Sequence, residues 1–380
     1  MNQIRKGMQQ HISLSVFFSI LFFAIMIFSS CKKEQTLTQQ YQTSSDLSNA
    51  KADIIVHSGE SIQAAVDAAQ PGMLIKIEPG TYAEAITVAK AGIKLVGLGI
   101  SVVIQNPGDK MDGINVTDAG DGFTLQNVTV RDFKKNGVLL DGVDNFTISH
   151  VTAINNGEFG FFAVHSSHGV IEHCSASGHS DTGIHAGESS ELNMQFNVAF
   201  ENVTGLEVEN SSDINVIKNQ SYNNAAGILI SLLPGRDVKT STNVYVGNNH
   251  VYDNNHANFG IPGHLAAFVP PGLGILVLGT DETTVEKNTV TGNNFVGITV
   301  FSTLVLAVLA GIPPETFDIE PNPDGARILK NVAQNNGSQP PSLPIPIPGV
   351  DLLWDGSGVN NCWSDNHFKT SSPSPLPSCD

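Results

Sequence analysis

Four residues able to do acid–base or metal chemistry sit close together in two neighbouring segments. Asp181 and His185 lie in D-T-G-I-H-A-G, and Glu207 and Glu209 lie in G-L-E-V-E. His185 follows Gly183 by two positions, and Glu207 follows Gly205 by two. If the two glycines are equivalent, His185 and Glu207 stand side by side. A carboxylate beside an imidazole raises its pKa and orients the ring, which makes a general acid–base pair. Asp181, Glu207 and Glu209 also offer hard oxygens of the kind that bind calcium. Glutamates at i and i+2 on one strand face are about 7 Å apart, a spacing compatible with two-carboxylate glycoside chemistry. The plainer alternative is a solvated polar stripe on an exposed strand.

The elements that must position these residues are read from an internal repeat. A glycine followed by alternating apolar residues recurs at Gly113, Gly137, Gly160, Gly183, Gly205, Gly227, Gly274 and Gly297. A period of 22–24 residues, with one doubled interval of 47, implies a stacked β solenoid. Side chains alternate in and out along a strand. The positions after each glycine therefore predict an outward column of Leu139, Phe162, His185, Glu207, Leu229, Leu276 and Thr299. A second outward column reads Asp141, Val164, Gly187, Glu209 and Ser231, with His165 at the far end of the same patch. Asparagines keep another register, at Asn127, Asn197, Asn219, Asn249, Asn288 and Asn331, with His150-Val151 and His173-Cys174 in the same slot. Stacked amides about 4.8 Å apart can bond as a ladder. Cys174 reads as a small buried core residue.

Residues 60–70 place Ile62, Ala65, Val66 and Ala69 on one helical face, ended by Pro71-Gly72. Such a helix caps the open first coil, whose bare strand edge would otherwise invite aggregation. The expected fold is all-β: a right-handed parallel β-helix over residues 53–369 with a short N-terminal capping helix. A C-terminal tail follows over 370–380. Cys362 and Cys379 bracket that tail and can pair as a disulfide in an oxidising compartment. Trp354 and Trp363 offer a sugar-stacking platform or a closure for the bottom of the core.

Insertions leave the repeat at 232–242, 257–272, 302–325 and 337–349. They are rich in proline and apolar residues and flank the outward face that carries His185 and Glu207. Long loops on a rigid scaffold often bind ligands. These would wall a groove, or cover the sheet and dock a protein partner. The stretch 304–310 is too short to span a membrane.

At the N-terminus, Arg5 and Lys6 precede an apolar run from Leu14 to Phe28, and Ser29-Ser30-Cys31 follows. The pattern resembles bacterial lipoprotein signals. That resemblance implies a signal peptide over 1–30, lipidation of Cys31 and a polar tether over 31–52. It also implies a location in the cell envelope, anchored by lipid alone. Lys32 after the cysteine, in place of an aspartate, favours the outer membrane. The full chain carries a net charge of −17, and without residues 1–30 it has 17 basic against 36 acidic residues, or −19. No basic stripe appears, which argues against nucleic acid as a partner.

The stretch S-I-Q-A-A-V-D-A-A-Q-P-G with P-G-T-Y at 79–82 resembles the start of many pectin-lyase-like β-helix proteins. Four further strings, G-H-S-D-T-G-I-H-A-G at 178–187, G-L-E-V-E-N-S at 205–211, V-Y-D-N-N-H-A-N-F-G at 251–260 and V-P-P-G-L-G-I-L-V at 269–277, narrow the likeness. Together they are similar to a family of exported parallel β-helix repeat proteins, often lipoproteins. The likeness implies the fold and brings no settled activity. The N-T-D, G-D-D, G-H-G and R-I-K strings of polygalacturonase-type glycosidases are missing, as is the D-P-H-D of alginate epimerases. No Arg or Lys falls in the central coils at the catalytic-base position that pectate lyases use. Copper is the weakest option, because only Met111 and Met194 fall in the repeats and the histidines keep no ligand spacing. The expectation is a glycan-directed protein, binding a polysaccharide or processing it as a lyase or hydrolase, through Asp181, His185, Glu207 and Glu209. The rival is a non-enzymatic scaffold that docks a protein through its apolar loops.

Overall fold

The computed structural model describes residues 47, 49–99 and 101–379. The signal peptide read at 1–30, Cys31 and nearly all of the tether lie outside the described residues. The body, Lys51–Asp380, is one compact unit.

Each repeat is too short to bury its own apolar face, so it folds as three short strands and stacks on the next. The chain visits three sheets in turn. Sheet A has 12 strands, sheet B 10 and sheet C 11, and within each sheet successive coils are neighbours. Every strand pairing is parallel, and the crossovers turn right-handed as parallel connections do. Inward side chains stack by type. On sheet C, Val138, Phe161, Ile184, Leu206 and Ile228 follow one another in register and are fully buried. Each contributes about 1.5–3 kcal/mol by leaving water.

The repeated glycine has a steric cause. At Gly183 a Cβ would lie 2.8 Å from the carbonyl oxygen of Gly205 and 2.9 Å from Asn202 Nδ2. The coils can therefore close up only where that side chain is missing.

The asparagine ladder runs between sheets A and B. Asn197, Asn219, Asn249 and Asn288 each accept the backbone N–H of the ladder residue one coil earlier, at 2.8–2.9 Å. Asn331 and Asn366 extend it. Asn127 is a correction. It has φ +57 and lines up with His150 and His173, one residue before the ladder slot. The slot itself holds Val128, Val151 and Cys174 before the asparagines begin. Cys174 is buried in it, and burial pushes its thiol up to about 12, which keeps it inert. A second ladder, unforeseen from the sequence, joins sheets B and C through Asn202, Asn224, Asn254, Asn293 and Asn336. His179 occupies the same slot and bonds Asn202 Oδ1 at 2.7 Å through Nδ1.

The first coil is capped by the helix Ile62–Ala68, which buries Ile62 and Val66. Its N-terminal amides are held by Ser61 and by the carboxylate of Glu84, which accepts from Ile62 N at 2.6 Å. At the other end Trp363 is buried, and its ring lies 5.6 Å from that of Trp354. Trp363 closes the core, and the partly buried Trp354 packs against it. Cys362 and Cys379 are joined by a disulfide. Ser371–Ser372 pairs with Leu352–Leu353, so sheet C continues into the tail. No helix among the described residues is long and apolar enough to cross a membrane.

Candidate functional site

The outward columns of sheet C stand in the register that the glycine spacing predicts. Phe162 pairs with His185, His185 with Glu207, Glu207 with Leu229, Leu229 with Leu276, and Leu276 with Thr299. Glu209 lies beside Gly187 and Ser231. Asp181 sits one residue before the strand Thr182–Gly187. The structure thus brings all four of these residues together.

Their surroundings differ from a solvated stripe. His185, Glu207 and Glu209 are only 4%, 7% and 8% exposed. All four insertions fold back over sheet C and enclose a cavity of about 480 Å³. Its walls include Leu265, Phe268, Leu306, Leu309, Leu343 and Ile347. The loops are pinned by hydrogen bonds, several of them buried. Asn210 Nδ2 donates to the carbonyls of Leu233 and Val238, and its Oδ1 accepts from Leu233 N at 2.8 Å. Glu188 accepts from Val238 N, and Asp318 reaches across to Gly235 N and Lys239. Thr303 Oγ1 donates to Leu232 O, and Asn258 Nδ2 to Ala266 O and Val269 O.

The first of these clamps places a residue that the repeat does not contain. Arg236, in the insertion 232–242, brings Nε to 2.5 Å from Glu209 Oε1. The lack of a basic residue at this position of the central coils is thus made good by a loop. Asn210 is the sequence signal for it: an asparagine one residue past the strand Thr204–Glu209, whose side-chain amide can bond loop backbone.

The electrostatics reverse the expected pairing. His185 Nδ1 is 4.0 Å from Glu207 and Nε2 is 3.9 Å from Glu209, both too long for hydrogen bonds, and neither nitrogen has a partner. The ring packs on Phe159 and Phe162, with centroids 5.1 and 4.9 Å away. Burial, and then Arg236, push the imidazole down to about 3, so it is neutral. Burial pushes Glu207 up to about 8, with the charges of Glu209 and Asp181 adding to the rise. Asp181 keeps partial contact with solvent and is raised to about 7, again chiefly by burial. Glu209 is also raised by burial, while Arg236 pulls it back toward the ionised form.

The Thr182 hydroxyl is 2.8 Å from Glu207 Oε2 and 3.1 Å from Asp181 Oδ1. One hydroxyl has one proton. It donates to Glu207 at the shorter distance, and a proton on either raised carboxyl would let the second contact become a full hydrogen bond. Burial, which raises both carboxyls, favours a proton shared between Glu207 and Asp181. Strongly perturbed carboxyls converging in a cleft are a common mark of catalytic sites.

For a cation the fit is conditional. Calcium on Asp181, Glu207 and Glu209 needs them ionised, and it would compete with Arg236 for Glu209. A different trio, His165, Glu188 and Asp237, has ligand atoms all within 4.8 Å of one another, but His165 and Asp237 are exposed.

Comparison with known proteins agrees with the architecture. Residues 112–234 match the family model described as "Right handed beta helix region". No curated protein matches the chain by sequence. Among solved structures, the A-module of mannuronan C-5 epimerase AlgE4 from Azotobacter vinelandii is similar, with a TM-score of 0.58 and 17% identity over 82% of this chain and 93% of that one. The AlgE6 A-module from the same organism gives 0.58 and 17%, over 82% and 94%. The Dettilon tailspike protein gives 0.51 and 12%, over 82% and 60%. At these identities the likeness is one of fold. In fold, the chain is a right-handed parallel β-helix protein.

Proposed function

We propose that the protein is an extracytoplasmic, glycan-directed β-helix, and that it binds and processes a sugar at the carboxylate end of the loop-walled cavity. One observation carries this reading: Asp181, Glu207 and Glu209 converge with Arg236 and a neutral His185 at the floor of one enclosed pocket. The names of two structural neighbours, which are epimerases of mannuronan, support the substrate class.

Protonated Glu207 is the proton donor, toward a glycosidic or ring-substituent oxygen. Asp181 is the partner carboxylate, linked to it through Thr182. The two carboxyls share the Thr182 hydroxyl, so their nearest oxygens are less than about 6 Å apart, the short spacing of the retaining mechanism. In hydrolysis Glu207 protonates the departing oxygen as the C–O bond breaks and Asp181 bonds the anomeric carbon, and water deprotonated by Glu207 then displaces Asp181. In lyase chemistry Asp181 takes the carbon-bound proton instead. Arg236 holds Glu209 ionised and offers its remaining N–H groups to sugar oxygens. Calcium is the candidate cation for the same carboxylates when they are ionised. Lipid on Cys31 would hold the protein at the cell envelope, with the outer membrane favoured.

The test is incubation of the purified protein with neutral and uronic poly- and oligosaccharides, with and without calcium, followed by mass spectrometry of products. New reducing ends or unsaturated products that vanish in Glu207→Gln support the reading. Neither binding nor turnover of any glycan overturns it.

A second reading has its own observation. Phe259, Phe268, Leu304 and Val308 are exposed on the loop rim, which suits docking of a protein partner. Cross-linking that captures a partner with the native rim and not with Phe268→Ser and Val308→Ser would favour it.

A further inference from the structure

The carboxylates of the site and Arg236 lie at one end of the cavity. Along sheet C, the polar pair His185 and Glu207 occupies two adjacent strands, and the next two outward positions are Leu229 and Leu276. Neither leucine offers a polar atom. The loop residues facing them, such as Phe268, Val269, Leu306 and Ile347, are apolar too. A glycan lying along the solenoid axis would press the hydroxyls of its later units against this surface. Those hydroxyls would lose water without gaining partners, which is costly. An apolar group in the same place gains free energy.

One further polar atom lies beyond the leucines. Thr299 is 2% exposed, lines the cavity, and its Oγ1 has no hydrogen-bond partner. It stands three strand spacings from Glu207, about 14 Å along the axis. Buried polar atoms in native proteins are ordinarily paired. The two nitrogens of His185 and this hydroxyl are therefore orphans at the two ends of an apolar trough, and they mark the ends of its ligand. A volume of about 480 Å³ is within the range of small-molecule sites.

We propose that the cavity binds a glycoside with an apolar aglycone: its single sugar unit against Asp181, Glu207, Glu209 and Arg236, its aglycone along Leu229 and Leu276, and a terminal oxygen at Thr299. This rests on the glycan reading above and narrows it from polymer to amphipathic small glycoside.

The test is calorimetric titration of the full-length protein with n-alkyl glycosides, from methyl to octyl, carrying glucose, mannose, galactose or glucuronic acid. For at least one sugar, affinity should rise about fourfold per methylene over the first several carbons. Glu207→Gln should weaken every member of that series by a similar factor. Leu276→Asn should flatten the dependence on chain length, and Leu276→Ala serves if the Asn variant misfolds. Sugar binding that ignores chain length overturns this inference and leaves the glycan reading standing. Equal binding of plain n-alkanols, with no gain from any sugar, overturns the glycoside assignment. Binding of no glycoside and no polysaccharide removes the glycan reading itself.

Discussion

Replacing Asn219 with alanine tests whether the ladder holds the coils together. Asn219 is buried, and its side chain serves two backbone groups. Its Oδ1 accepts the N–H of Asn197 at 2.9 Å, and its Nδ2 donates to Met194 O at 2.9 Å. It also donates to Asn249 Oδ1 at 3.1 Å, but that oxygen keeps the backbone N–H of Asn219 at 2.8 Å after truncation. The loss therefore falls on Asn197 N and Met194 O. The N–H is left without a partner at about 1–3 kcal/mol, and the carbonyl loses one of its two possible bonds. A total of about 2–4 kcal/mol follows. The matched control is Asn335, which is exposed, has φ +58 and lies outside both ladders. Asn335→Gly should be close to neutral, because glycine adopts that conformation freely, whereas Asn335→Ala should cost about 1 kcal/mol. Urea midpoints give the comparison between variants, and hydrogen exchange at the Asn197 amide gives a local readout that does not depend on two-state unfolding. Equal midpoints for Asn219→Ala and Asn335→Gly, with unchanged protection at Asn197, would refute the ladder argument.

The pH dependence of stability follows from Glu207. Its folded pKa of about 8 lies above the ordinary 4.5, so the folded state binds the extra proton between those values, and stability falls as pH rises through that window. Glu207→Gln mimics the protonated form, so its melting temperature should match the native protein in acid and exceed it by a margin that grows as pH rises from about 4.5 to about 8; a parallel pH profile would count against a raised Glu207. Arg236→Met removes the charge that favours ionised Glu209, so any pH–rate profile should move to higher pH while circular dichroism stays unchanged. Calcium held by Asp181, Glu207 and Glu209 competes with protons, so its effect on melting should grow with pH and vanish in Glu207→Gln. A rise that ignores pH and that substitution would place the ion elsewhere, with His165, Glu188 and Asp237 as the first residues to change. Cys31→Ser should move the protein from the membrane to the soluble fraction, and unchanged fractionation would dispose of the lipid anchor.

The solenoid makes one part of this site legible and hides the rest, for a physical reason. In a stacked coil, lateral neighbours are one repeat apart in sequence. The spacing of Gly160, Gly183 and Gly205 is therefore enough to set His185 between Phe162 and Glu207. The second asparagine ladder was open to the same reading. Asn202, Asn224, Asn254 and Asn293 follow intervals of 22, 30 and 39 residues, the intervals that separate Asn197, Asn219, Asn249 and Asn288. Asn127 matches the ladder in residue type but not in register, since its φ of +57 puts it in the turn position that His150 also takes. Periodicity has no purchase on the insertions, because an aperiodic loop has no equivalent one coil away. Yet the insertions decide the chemistry. They bury an outward face that alternation alone would leave in water, and they deliver Arg236 to Glu209. Burial then acts with opposite sign on the two kinds of group, holding the imidazole neutral and keeping a proton on the carboxyls. A pair that spacing suggests as imidazolium and carboxylate becomes, beneath the loops, a neutral ring beside a protonated acid. The scaffold selects which side chains meet, and the loops select which of them carries the proton.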